Sequence, residues 1–258
     1  MCYRFNNTQE ETAFRKQMKI LGKVFKQESS NKRFSFYHTN GFAHELLPVV
    51  TQENSSEISF MHWGFVPPSV TSKADKDKYW KMGWTLNARS EEIFTTRSFK
   101  NAITNKRCLI PATGFYEWRE LNGEKYPYLI LVKSGEKFSE ASPFCFAGVY
   151  NNWMDKETGE VIDSFAIITC EANNLLKKIH VNRKRTDQGG RMPVIVHPHE
   201  YDKWLNPITS AAELQQIMQP FPDEKMMAYT ISKLITSRKE NPNVPEVMVH
   251  YAYEELER

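Results

Sequence analysis

A chain of 258 residues that is 40% hydrophobic, 13% aromatic and 25% charged has the composition of a folded globular protein, which excludes disorder as its main state. Its 34 Lys and Arg against 31 Asp and Glu leave a formal charge of +3, too little for a protein that coats nucleic acid by bulk charge, so any nucleic-acid site has to be local. No apolar run approaches the ~18 residues of a membrane-spanning helix and the N-terminus carries no secretory pattern; the expectation is a cytoplasmic protein without a membrane partner. Cys2, Cys108, Cys145 and Cys170 are far apart with no C-x-x-C pair, so neither a zinc site nor a disulfide framework is indicated, and no cofactor is expected.

Thr8 and Glu11 match a capping box, and Phe14, Met18, Leu21 and Phe25 recur at helical spacing, predicting an amphipathic helix over 9–22. From about Phe34 to Val132 the pattern turns to short β-like runs, among them Ser59–Phe65, Cys108–Pro111, Phe115–Leu121 and Tyr126–Val132, with Asn122-Gly123 as the hairpin turn between the last two. A second hairpin pairs Phe144–Trp153 with Val161–Thr169 and feeds a helix of about Glu171–His180. Val181–Gly190 is polar, basic and Gly-ended, hence a loop, before a short strand at Pro193–Val196; Ser210 and Glu213 then cap a helix that Pro220 stops. Strands and helices interleave without a regular βαβ alternation and without a linker, which predicts one α+β domain over 1–258.

Cys2 stands where initiator-methionine removal leaves an α-amine and a thiol on one carbon framework. The amine has a pKa near ~7.7–8.0 and the thiol is the strongest side-chain nucleophile, so an aldehyde would form a Schiff base that the sulfur closes into a thiazolidine. A second-position Cys also arises with no function. Glu117 lies in the aromatic strand Gly114-Phe115-Tyr116-Glu117-Trp118, sharing a face with Phe115 and opposing Tyr116 and Trp118; buried, it would suit acid–base work, and on an edge strand it would only face water. His180 closes a helix, as an acid–base group or a C-terminal cap. Asn87-Ala88-Arg89-Ser90-Glu91 sets an amide beside a guanidinium suited to phosphate. Arg183, Lys184, Arg185 and Arg191 form a basic run that equally fits a solvated loop, and His197-Pro198-His199-Glu200 reads as a turn and cap and not as a metal site.

Taken in order, Met1-Cys2-Tyr3-Arg4-Phe5, Trp63-Gly64-Phe65-Val66-Pro67, Asn87-Ala88-Arg89-Ser90-Glu91, Arg107-Cys108-Leu109-Ile110-Pro111, Gly114-Phe115-Tyr116-Glu117-Trp118, Ala147-Gly148-Val149, and Ile179-His180 with Arg191-Met192-Pro193-Val194-Ile195 resemble the SOS-response-associated peptidase (SRAP) family. The resemblance runs from residue 2 to about 196, with a weaker echo at Tyr229–Ser237. It implies an α+β domain around a strongly curved, barrel-like, mainly antiparallel sheet with flanking helices. It also implies a DNA-protein crosslinking activity that shields abasic sites in single-stranded DNA as a thiazolidine. Carried over by position, Cys2 would be the nucleophile, Asn87 would orient its amine, Glu117 would assist proton transfer, and His180 would act on the sugar hydroxyl and in reversal. Arg4, Arg89 and Arg191 would hold phosphates and Trp118 would pack beside the site. Self-removal of Met1, a peptidase reaction, is implied as well.

The chain departs from the family pattern at Tyr3, where Gly is frequent, at Pro68-Ser69-Val70, where tryptophan is common, and at the ten residues that part His180 from Arg191. Two other functions stay open: a thiol peptidase or amidohydrolase with His180 as base to Cys2, and a non-covalent binder of single-stranded or modified DNA. The expected partner is single-stranded DNA with abasic sites. No obligate protein partner is expected, and the chain is read as a monomer.

Overall fold

The structure, a computed structural model, describes residues 2–20, 32–134, 141–180 and 190–256. In chain order its elements are β1 (Arg4–Asn7), α1 (Glu11–Ile20), β2 (Phe36–Asn40), β3 (Leu46–Thr51), β4 (Ile58–Trp63), α2 (Lys73–Met82), β5 (Asn87–Arg89), α3 (Lys100–Asn105), β6 (Arg107–Ala112) and β7 (Gly114–Leu121). They continue as β8 (Glu124–Lys133), β9 (Ala141–Ser142), β10 (Phe144–Met154), β11 (Val161–Glu171), α4 (Asn174–Ile179), β12 (Arg191–Pro193), β13 (Ile195–Val196), α5 (Tyr201–Leu205), α6 (Ala211–Ile217) and β14 (Met226–Thr230).

The fold is α+β around a closed ring. Strand β11 pairs with β4, β4 with β3, β3 with β6, β6 with β10, and β10 returns to β11. Every pairing in the ring is antiparallel except β11 with β4. A second sheet has the order β14-β8-β7-β1-β2, with β9 on β8. The chain passes from ring to sheet at Thr113, between β6 and β7. There Thr113 donates its backbone N–H to Asn6 O (3.0 Å) and its hydroxyl to Asn6 Oδ1 (2.7 Å), fastening β1 at the crossing.

Period-2 alternation decides which faces meet. Phe5 of β1 and Phe115 of β7 face the ring, and Phe5 packs edge-on against Phe36, Trp63 and Phe146 at centroid distances of 5.4, 5.2 and 5.5 Å. Such pairs contribute about 0.5–1.5 kcal/mol each beyond simple burial, which anchors the strand that begins two residues after Cys2. Tyr116, the alternate of Phe115, and its β8 partner Leu129 face the other way, into a smaller cluster with Ile231, Ile235 and Val247. Asn122 (φ 52°) and Gly123 (φ 83°) turn the β7–β8 hairpin as expected, since paired left-handed residues match the twist of the strands.

Several local expectations change. The first helix is described over Glu11–Ile20, and Thr8 does not cap it: its N–H and hydroxyl meet the Thr113 hydroxyl at 2.9 and 3.1 Å. Leu21 and Phe25 lie outside the described residues. The helix expected from Glu171 starts at Asn174 under an Asn173 cap, because Thr169, Cys170 and Glu171 remain in β11, paired to β12. Helices α2 and α3 replace part of the expected β-like stretch. The Ser210–Glu213 capping box forms as read, and His197-Pro198-His199-Glu200 is a turn leading into α5. Among the described residues no helix is long and apolar enough to cross a membrane.

Candidate active site

Cys2 lies at 0% exposure where β1, β5 and β7 converge. Its carbonyl accepts a hydrogen bond of 2.9 Å from Asn87 Nδ2, and its thiol lies 3.8 Å from Arg4 O. Strand β5 brings Asn87 there by running parallel to β11, with Asn87 opposite Ile167. Asn87 Oδ1 is buried and has no hydrogen-bond partner among the described residues. An amide oxygen left so is costly unless a donor arrives.

Glu117 is 3% exposed, on the core side of β7, and burial of a carboxylate demands a partner. His180 supplies one: its Nδ1 is 2.6 Å from Glu117 Oε2. The imidazole is held by its own backbone, since His180 N–H closes α4 onto Leu176 O at 2.7 Å. The Glu117 charge also reaches Cys2. Burial first, and then that carboxylate, push the Cys2 thiol well above its usual range, so the sulfur rests as a neutral thiol. Cys145 and Cys170, both buried, are likewise raised, to about 12, and Cys108 is pushed up by burial too.

The residues expected to touch DNA fall into two groups. Arg4 and Trp118 meet on the face of the second sheet opposite Glu117, with the guanidinium 5.5 Å from the indole centroid. Arg4 Nη1 donates to Ile235 O and to His38 Nε2, the latter at 3.3 Å. Burial, then the Arg4 and Arg33 charges, hold His38 down at about 4, so it stays a neutral acceptor. The second group flanks the C-terminal half of β11, where Arg89 stands opposite Thr169 and Arg191 opposite Glu171. Arg191 grips Glu91 through both terminal nitrogens (3.1 and 2.8 Å) and donates to Thr169 Oγ1 and O (3.2 and 2.7 Å). Burial alone would raise the Glu91 carboxyl, but the Arg191 hydrogen bonds, backbone and charges outweigh it and leave it lowered. Arg89 is freer, with a loose 3.6 Å pair to Glu92.

Residues 181–189, with Arg183, Lys184 and Arg185, lie outside the described residues, but their flanks are informative. Gly190 O accepts from Ala172 N–H at 2.8 Å, and a Cβ built on Gly190 would stand 2.5 Å from His180 O. His180 and Gly190 are therefore in backbone contact, and the ten-residue separation in sequence is closed in space.

Sequence reasoning missed the surface beside this cluster. Tyr3 packs on Phe42 at 5.3 Å, and Phe42, Met82 and Trp84 are about half exposed (49, 52 and 53%). Trp84 stands four residues from Trp80, which instead stacks on His44 at 4.4 Å. Trp84 keeps one edge-on contact, with Tyr79 at 5.4 Å, and leaves the rest of its ring open.

The sequence model of the family described as "SOS response associated peptidase (SRAP)" matches residues 1–238. The Bacillus subtilis abasic site processing protein YoaM is 36% identical over 200 residues, covering 76% of this chain and 78% of that protein. HMCES, an abasic site processing protein of Pongo abelii, is 30% identical over 219 residues, 76% of this chain and 58% of that longer protein. A crystal structure of a protein from Bacteroides thetaiotaomicron superposes with a TM-score of 0.80 at 34% identity, covering 97% of this chain and 100% of that one. A match spanning nearly the whole described chain, with Cys2, Asn87, Glu117 and His180 gathered at one point, places this protein in the SOS-response-associated peptidase (SRAP) family.

Proposed function

We propose that the protein captures abasic sites in single-stranded DNA covalently, through a thiazolidine formed by Cys2 after Met1 is removed. The observation that carries this reading is Asn87: its Nδ2 holds the Cys2 carbonyl at 2.9 Å while its buried Oδ1 has no partner among the described residues. An acceptor kept beside an amino-terminal residue suits the α-amine of a processed Cys2. That amine adds to the open-chain aldehyde of the abasic sugar, and loss of one water gives the Schiff base. The sulfur then bonds to the imine carbon, and its proton passes to the ring nitrogen. Because the thiol rests protonated, a base has to take that proton as the S–C bond forms, and Glu117 is the group whose charge reaches it. His180, bonded to Glu117, relays protons to the sugar hydroxyl during ring opening and in reversal.

Met1 removal is hydrolysis of the Met1–Cys2 peptide bond, one water consumed, with the same carboxylate–imidazole pair as its acid–base partner. A general thiol peptidase is less well supported. It needs a thiol of lowered pKa paired with imidazole, whereas the Cys2 thiol is raised and its hydrogen bond goes to Arg4 O, not to His180. Arg4, Arg89 and Arg191 supply phosphate contacts, Trp118 backs Arg4, and Phe42 and Trp84 offer exposed rings on which unpaired bases can stack.

Incubation with single-stranded DNA carrying one abasic site, followed by a denaturing gel and mass spectrometry of the N-terminal peptide, tests this. A heat-stable adduct on a Cys2-initiated peptide is expected from the wild type and its loss from Cys2→Ala, with non-covalent binding retained. An undiminished adduct in Cys2→Ala without borohydride trapping refutes the thiazolidine.

A further inference from the structure

Beyond the residues matched by the family, which end at 238, the chain continues along the outer edge of the second sheet. Ile231 bridges to His250, Tyr251 N–H donates to Thr230 O at 2.9 Å, and the Tyr253 hydroxyl donates to Ile231 O at 2.9 Å. Between this segment and the β7–β8 hairpin lies an open groove of about 660 Å³. Its floor is aromatic. Tyr126 and Tyr253 meet edge to face at 5.0 Å, and Tyr251, half exposed, leans on Tyr253 at 4.8 Å. Its rim is acidic, with Glu124 on the hairpin side and Glu254 and Glu255 on the other, against the single cation Lys233.

We propose that this groove docks an arginine side chain presented by a basic segment of a protein partner. Three observations point to that occupant. The charge of the lining is opposite to that of the chain as a whole and repels phosphate, so the groove is not an extension of a nucleic-acid track. Tyrosine faces attract cations, and the carboxylates stand where a cation over those faces can be paired. The chain itself demonstrates the mode: Lys233 Nζ sits 5.9 Å over the Tyr126 ring and 3.1 Å from Glu124. Lys233 satisfies the hairpin side and leaves Tyr251, Tyr253, Glu254 and Glu255 for an incoming group. A planar guanidinium can stack on a ring while its edge forks onto a carboxylate, which an ammonium cannot do, so arginine is preferred over lysine.

Fluorescence anisotropy of a labelled, capped Gly-Arg-Gly-Arg-Gly peptide titrated with the full chain tests the proposal, with Lys and Glu versions and an oligo-dT strand as comparisons. Saturable binding is expected for the Arg peptide, weaker binding for Lys and none for Glu, all fading between 0.05 and 0.3 M salt. Tyr251→Ala should weaken Arg-peptide binding about two- to five-fold, and Glu254→Gln with Glu255→Gln at least as much. Because the readout contains no abasic DNA and these residues lie outside the cysteine cluster, adduct yield should remain that of the wild type, so failure of either reading is distinguishable from failure of the other. Absence of saturable binding, equal affinity in the double variant, or displacement of the peptide by oligo-dT overturns the proposal.

Discussion

Gly190 offers a steric test of how His180 is held. A methyl group there would stand 2.5 Å from His180 O, whereas ordinary contact begins near 3.4 Å, so about 0.9 Å has to be found. The obstructing atom is backbone, not the end of a side chain that can swing away. Gly190 is itself tied by its carbonyl to Ala172 N–H, so the relief falls largely on the end of α4. His180 Nδ1 now lies 2.6 Å from Glu117 Oε2, and a shift of 0.9 Å along that line stretches the contact to about 3.5 Å, beyond useful hydrogen bonding. Gly190→Ala should therefore cost ~1–3 kcal/mol of stability through overpacking and slow adduct formation by up to about 100-fold through misplacement of the imidazole. Single-turnover crosslinking to an abasic oligonucleotide, with urea unfolding in parallel, measures both. Wild-type kinetics in a Gly190→Ala protein of unchanged stability would refute the inferred contact and the role given to His180 through it.

Replacing Glu91 by Gln removes the carboxylate that occupies both terminal nitrogens of Arg191, so low-salt affinity for single-stranded DNA should rise, and the salt slope should steepen by about one released counterion; anisotropy at several salt concentrations reads it, and an unchanged slope counts against competition at Arg191. Acidification should expose His38: the unfolded chain takes up a proton below 6.5 that the folded one refuses until about 4, so stability present at neutral pH is lost as pH falls through that window. At pH 4.5 the loss is roughly 2–3 kcal/mol, and His38→Gln, which keeps an acceptor for Arg4, should flatten that part of the urea-unfolding profile. Joining His180 directly to Gly190 by deletion of 181–189 should preserve crosslinking to a short abasic oligonucleotide, because the two backbones already touch, but lower low-salt affinity for longer strands if the deleted cations extend the phosphate track. Equal affinity for both lengths before and after the deletion would deny those cations a role.

What was readable in advance was what neighbouring residues decide for themselves. Asn122-Gly123 turns the hairpin because both residues tolerate positive φ, and Ser210 with Glu213 closes its box within one helical turn. Thr8 obeyed the same local rule and still failed as a cap, since Thr113, brought alongside by the β6–β7 crossing, offered its hydroxyl a partner 105 residues away. Glu171 reads as helical from its neighbours, but Arg191, on another strand, pairs with it and keeps it as the last residue of β11. In the candidate site, residue types could be read from motifs, but Glu117 could be assigned to core or water only once His180 was seen against it. The Glu91–Arg191 clasp spans 100 residues and leaves no local trace. The separation of Trp118 from Glu117 follows from alternation along β7, which is legible; that Arg4, on β1, joins Trp118 on that face is not.

Strand β11 has a consequence for how such a site stays in tune. Its last turns of pleat carry β5 on one edge and β12 on the other, so Asn87 and Arg89 are spaced by Ile167 and Thr169 while Arg191 is spaced by Glu171. One strand thus serves as a common ruler for the amide that holds Cys2 and for both cations beside it. A change that slides or tilts β11 carries all three together and preserves their mutual distances, while its effect on the spacing to Glu117, which is hung from the other sheet, is immediate. Drift during divergence should then be tolerated within each of these two frames and resisted between them, and the Thr113–Asn6 fastening, where the frames are joined, is the place at which small shifts would be felt most.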